Sequence, residues 1–214
     1  MTDFQQQALQ LAAKQQSPAW LGDLRAQAAN DWQHVVWPTR KTEHWKNTSL
    51  ASLQKNIPQG WAATATSLNV EAEFIAVDAV RLVFVNGVFD AASSSDLSTE
   101  VVRFSQANDA QQQLIAKHLN KVVEGPQHLF ATLNNAWLDD GVLVHVPCNQ
   151  SLAKPIYVVQ ISTPETQAVS VNQRLLVVLE DSAQAEIIEH FISTSDVQNS
   201  FVNALTEVVV GDNG

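Results

Sequence analysis

Phe4, Ala8, Leu11 and Ala12 recur at helical spacing and predict a first amphipathic helix that ends near Gln16. Ser17-Pro18 reads as an N-cap with proline in the first turn, opening a second helix whose stripe is Trp20, Leu21, Leu24, Ala28, Trp32 and Val35. That helix stops before Trp37-Pro38, because proline disfavours the helical conformation in the residue before it. Residues 39–53 form a compact polar-aromatic segment, and the proline, glycine and alternating Ala/Thr of 56–67 predict a loop. The apolar run 81–89 is broken by Asn86-Gly87, a pair suited to positive φ, and predicts a β-hairpin. A serine-rich loop follows over 91–99. Asn108 or Asp109 then caps a helix with Leu114, Ile115, Leu119, Val122 and Val123 on one face, ended by Gly125-Pro126. A short helix carries Leu129, Phe130, Leu133 and Trp137, and Asp140-Gly141 turns the chain.

From Val142 the pattern changes to short β-rich runs at 142–146, 155–161, 173–179, 185–192 and 202–210. Their starts lie 13, 18, 12 and 17 residues apart, a spacing open to either a β-sandwich or an irregular β-solenoid. The last run is followed directly by Gly211-Asp212-Asn213-Gly214. A strand there with no successor predicts an exposed edge, and with it either a truncated solenoid, self-association of the fragment, or cover by a partner.

Composition narrows the function classes. A hydrophobic content of 45% supports a real core. Twelve Lys and Arg stand against 22 Asp and Glu, a formal charge of -10, so the chain has no overall positive field for phosphate backbones and predicts no nucleic-acid partner. Beyond Lys121 the only basic residues are Lys154 and Arg174, an asymmetry that divides the chain into two units, 1–138 and 139–214. The lone Cys148 can form no internal disulfide and fits a reducing compartment. No stretch approaches the roughly 20 apolar residues of a membrane-spanning helix, so a cytosolic protein with no membrane partner is expected.

Three constellations could carry chemistry. Glu43 and His44 are a candidate acid/base pair, but neighbouring residues diverge in direction and are poorly placed to act on one proton. Glu186 and His190, with His145, could supply metal ligands, although these side chains do not define a site by spacing. Cys148 follows Pro147 at a strand end, with His145 three positions earlier, but lacks a nucleophile elbow or an oxyanion loop. Neither G-x-x-x-x-G-K-[ST] nor G-x-G-x-x-G occurs, which argues against nucleotide binding. The expectation is no catalytic, cofactor-binding or metal residue in this chain, with Trp45 anchoring the polar segment around it.

Pro38-Thr39-Arg40-Lys41-Thr42-Glu43-His44-Trp45-Lys46, followed by Thr48-Ser49-Leu50, resembles the amino-terminal signature of SufD, a subunit of the SufBCD iron-sulfur assembly scaffold. In order along the chain, the runs Val80 to Gly87, Ala153-Lys154-Pro155-Ile156, Leu179 to Ala185 and Ile188-Glu189-His190-Phe191 are similar to SufD segments; Asn47 departs from the aromatic usual there. The resemblance implies an α+β chain: a helical amino-terminal region with a β-hairpin, then the first coils of a right-handed parallel β-helix, truncated. It implies partners SufB and the SufC ATPase in the full-length complex, with an iron-sulfur cluster associated with that complex and no cofactor on this fragment. No cluster-ligand role is carried onto Cys148, His145 or His190. Two other readings stand beside it: a small metal-dependent enzyme using Glu186, His190 and His145, and a self-contained β-type binding domain.

Overall fold

The computed structural model describes residues 1–55, 60–62, 73–124, 128–165 and 167–214. Helix α1 (Asp3–Lys14) starts on a reciprocal cap, in which the Thr2 hydroxyl accepts from the Gln5 N–H and the Gln5 side chain accepts from the Thr2 N–H. It buries Phe4, Ala8 and Leu11. Ser17 does not cap the second helix as its position suggested. Its hydroxyl instead accepts from Arg25 Nη1 at 2.6 Å, while Pro18 leads into a 3-10 turn, Ala19–Leu21, that feeds α2 (Gly22–His34). Val35 is extended ahead of Trp37-Pro38, so α2 ends where the proline rule places it.

The expected loop at 56–67 contains a two-residue strand, β1 (Gly60–Trp61); the rest of that prediction, apart from Ala62, lies outside the described residues, as does Gly125-Pro126. The hairpin is present as β2 (Val80–Val85) and β3 (Val88–Phe89), with Asn86 at φ 48° and Gly87 at φ 82° in the turn. After β4 (Val101–Arg103), helix α3 (Asp109–His118) opens on a capping box of Asn108 and Gln111. It stops short of Val122 and Val123. Asn120 takes φ 60°, and the N–H groups that would have continued the helix turn onto the Glu207 carboxylate. Helix α4 (Leu129–Ala136) follows, and then β5 (Val142–Val146), β6 (Ile156–Ser162), β7 (Val169–Leu179), β8 (Ile187–Ser193) and β9 (Ser200–Val210).

The strands form two sheets in a mixed α/β chain. One has the order β1-β7-β5-β4 with β9 on the other side of β7; the other runs β3-β2-β6-β8. From β5 onward successive strands alternate between the sheets. β5, β7 and β9 are parallel, as are β2, β6 and β8, while β4 and β3 join antiparallel. Leu82, Phe84, Val144, Ile156, Val158, Leu175 and Val177 pack into one apolar cluster between the sheets. On its far side the first sheet packs Leu143, Leu176 and Val178 on Phe104, Ile115 and Leu138. The central strands β6 and β7 are covered on both faces, and every residue of β7 is buried, Ser170, Asn172, Gln173 and Arg174 included. Phe4, Ala8, Leu11, Trp32, Leu133 and Trp137 form a further cluster where α1, α2 and α4 meet.

A polar seam joins α4 to the first sheet. Arg174 and Glu207, whose side chains have 0% exposure, form an ion pair between β7 and β9. Arg174 Nη1 also donates to the side-chain oxygens of Asn134 and Asn135, each at 3.0 Å. Glu207 accepts N–H groups from Asn120, Lys121, Val122 and Val123 at 2.8–3.1 Å. Asn172 and Asn203 donate to the α4 carbonyls of Asn134 and Phe130. Burial alone would push the Glu207 carboxyl up, but Arg174 and the loop N–H groups outweigh it and hold it below the ordinary value.

Glu207→Gln is expected to destabilise the chain by about 3–5 kcal/mol at neutral pH, since it leaves Arg174 buried without its counter-charge. The native stability from Glu207 is fully present above the unfolded carboxylate pKa of about 4.3 and is lost as pH falls through the lower folded value. Urea unfolding of both proteins over a pH series checks this: the gap between them narrows in acid. A constant gap would remove the pair from this role.

Candidate functional site

The signature segment is an exposed loop held at one point. Glu43 and His44 lie in a 3-10 turn, Glu43–Trp45, where Lys46 Nζ donates to Glu43 Oε1 at 2.7 Å and His44 is exposed. The acid/base pairing is not assembled. Trp45 is half-buried and meets Phe130 of α4 edge-on, with ring centroids 5.6 Å apart. Beside it is a cavity of about 250 Å³ lined also by Val123, His128, Leu129 and Asn203.

The structure also separates the candidate metal ligands. His145 lies on β5 in one sheet, and its Nε2 is 2.9 Å from Glu180 Oε1. His190 lies on β8 in the other sheet, its Nδ1 2.7 Å from the Tyr157 hydroxyl, which accepts the Ile75 N–H. Glu186 is exposed just before β8. Among the described residues no group of three or more His, Cys, Asp and Glu could hold a metal ion.

Glu180 is the residue that sequence reasoning missed. It follows β7, and strand register places Leu179 opposite Val146, so its carboxylate reaches both His145 and the Cys148 N–H, the latter at 3.0 Å. The His145 hydrogen bond and then the Cys148 N–H hold its carboxyl below the usual range. The exposed Cys148 Sγ accepts from Asn149 Nδ2 at 3.0 Å. Glu180 therefore braces the backbone of this corner through Cys148 N–H and engages the imidazole with its other oxygen. Burial, followed by Lys117 and His145, holds the nearby His118 below the ordinary imidazole value.

A further candidate surface is the open side of the paired sheets. Among the described residues β8 pairs only with β6, and β9 only with β7. Thr206 of β9 donates to Glu189 of β8 at 2.7 Å, tying the two strands together across the sheets. Phe191 is 55% exposed, Val208 49% and Val210 50%, an apolar strip beside unpaired strand edges. Among the described residues no helix is long and apolar enough to cross a membrane.

The family model for the SufBD protein N-terminal region matches residues 2–158. The chain belongs to the SufBD family. It is 32% identical over 191 residues to an iron-sulfur cluster assembly SufBD family protein of Synechocystis, covering 82% of this chain and 42% of that relative. It is 26% identical over 211 residues to the iron-sulfur cluster assembly protein SufD of Bacillus subtilis, covering 94% of this chain and 48% of that one. A SufBD family protein of Staphylococcus aureus is 25% identical over 215 residues, with 98% and 44% coverage. This SufBD chain thus spans less than half the length of these curated relatives. The family model takes in the signature segment and the hairpin, and ends before the Arg174–Glu207 pair of the polar seam.

Trp45→Ala is expected to lower stability by about 1–3 kcal/mol, less than for a fully buried indole, because the ring is only half-buried and meets Phe130 edge-on. Trp45→Phe should restore part of that loss. Thermal unfolding of the two variants measures it; an alanine variant that unfolds like the parent would mean that the Phe130 contact does not anchor the loop.

Proposed function

We propose that this SufBD chain is the amino-terminal portion of a SufD-like scaffold subunit, acting beside SufB and SufC in the cytoplasm to assemble iron-sulfur clusters. Its contribution is protein-binding and structural, with no catalysis of its own. The observation that carries this reading is the near-complete alignment of the chain with less than half of a SufD protein. The topology supports it: parallel strands alternating between two sheets and ending in an open apolar side suit the first coils of a right-handed parallel β-helix. In this reading residues 1–138 supply the helices and hairpin and 139–214 the coils, with β2 already contributing to the second sheet. The exposed signature loop and the open side offer surface to other proteins.

Co-expression of the full-length subunit containing this region with tagged SufB and with SufC tests the assignment. Co-purification of all three is expected; a full-length subunit recovered with neither protein overturns it. The iron-sulfur cluster is cargo of the complex, and a single thiol cannot supply the usual four ligands. Anaerobic reconstitution of the chain alone should therefore leave iron and sulfide far below stoichiometric. A near-stoichiometric cluster on a monomer, lost on Cys148→Ser, would refute this.

A further inference from the structure

A cavity of about 430 Å³ lies between the two sheets. Phe84 and Val158 line it from one sheet, Val142 and Leu175 from the other. Those walls are apolar, and the volume is in the range that holds small organic molecules. Two glutamines are set into them: Gln173 of β7 donates through Nε2 to Gln160 Oε1 of β6 at 2.5 Å. Both residues are only 8% exposed, and Gln173 Oε1 has no hydrogen-bond partner in the protein. A buried carbonyl left without a donor is costly. With one amide-amide bond made, the pair leaves one carbonyl and one NH2 group for a ligand, and turning both amides over leaves the same complement.

Asp139, Arg174 and Glu189 also line the cavity, and its other two charged residues, Arg103 and Asp140, pair with each other. Arg103 donates to Asp140 Oδ2 through Nε and Nη2 at 3.0 and 2.5 Å, and its guanidinium lies 4.7 Å over the Phe89 ring. Asp140 Oδ1 accepts the N–H groups of Ser105 and Gly141, each at 2.9 Å. Arg103 is thus not free to draw an anion. Next to it, burial raises the Asp139 carboxyl to about 6, as expected where a charge is poorly solvated.

We propose that this cavity binds a small neutral molecule whose apolar ring or chain fills the space between the sheets and whose carboxamide or lactam edge pairs with Gln160 and Gln173. The donor and acceptor of such an edge match the two groups the glutamines leave over, which neither a carboxylate nor an amidinium can do. The proposal does not depend on the scaffold reading.

Benzamide, benzoate and benzamidinium present the same ring with neutral, anionic and cationic heads, and each can be titrated into the isotope-labelled chain while backbone and glutamine side-chain amide shifts are followed. Benzamide is expected to shift Gln160, Gln173, Val158 and Leu175 to saturation, with the charged probes at least roughly tenfold weaker. Gln173→Met should weaken benzamide by roughly three- to tenfold while leaving the binding of toluene, which needs only the apolar walls, unchanged. Val88→Trp, which fills the cavity from the hairpin, should abolish both. Preference for a charged probe, benzamide binding indifferent to Gln173→Met, or no shifts with any probe would overturn the proposal, the last by showing that water alone satisfies Gln173.

Discussion

A carboxylate with no access to solvent has to be compensated inside the protein, and the way Glu207 is compensated decides how the helices sit on the sheets. Its partner Arg174 comes from the neighbouring strand, so β7 and β9 are locked in a register that runs from Val169 opposite Ser200 to Leu179 opposite Val210. Its remaining capacity is filled by N–H groups of 120–123, which ends α3 where it ends. The asparagines of α4 accept from Arg174 Nη1, while its buried Nε finds no partner in the protein. A sheet covered by helices through apolar contacts alone could slide by a residue; here Asn134, Asn172 and Asn203 peg one helix to two strands through directional bonds.

Around that seam the architecture is a consequence of parallel pairing. Each parallel connection has to cross to the opposite sheet and back, so the chain lays down β5 to β9 alternately and the inter-sheet core grows by one layer per crossing. Phe191 on β8 and Val208 and Val210 on β9 stay exposed, and the Glu189–Thr206 bond ties those two strands together across the sheets.

Local signals were legible in the sequence and distant ones were not. The Asn86-Gly87 turn, the Asn108 cap and the Trp37-Pro38 stop depend on residues within a few positions of each other, and each appears where the pattern puts it. Ser17 misled because its hydroxyl bonds to Arg25, eight residues on, in place of a helix N–H. β7 starts at Val169, before the expected 173, since Ser170 and Asn172 read as part of a polar turn until their burial and the Asn172 bond to α4 are known. Glu180 was invisible for the same reason: only strand register brings it to His145 and Cys148. The motif that revealed the family, around Trp45, is among the more exposed segments of the fold, so its residues identify the chain without locating any chemistry on it.

The contact between Phe4 and Phe201, with ring centroids 5.6 Å apart, joins residues nearly 200 positions distant, and Trp137 Nε1 donates to the Ala8 carbonyl at 2.8 Å. During synthesis from the amino terminus, the first helix leaves the ribosome long before either partner exists. At translation rates of about 5–20 residues per second, its apolar face waits roughly 10 to 40 s for β9. Trp32 and Trp37 of the next segment are at hand early to meet Phe4, so the nascent helix keeps only part of its apolar face uncovered over that interval.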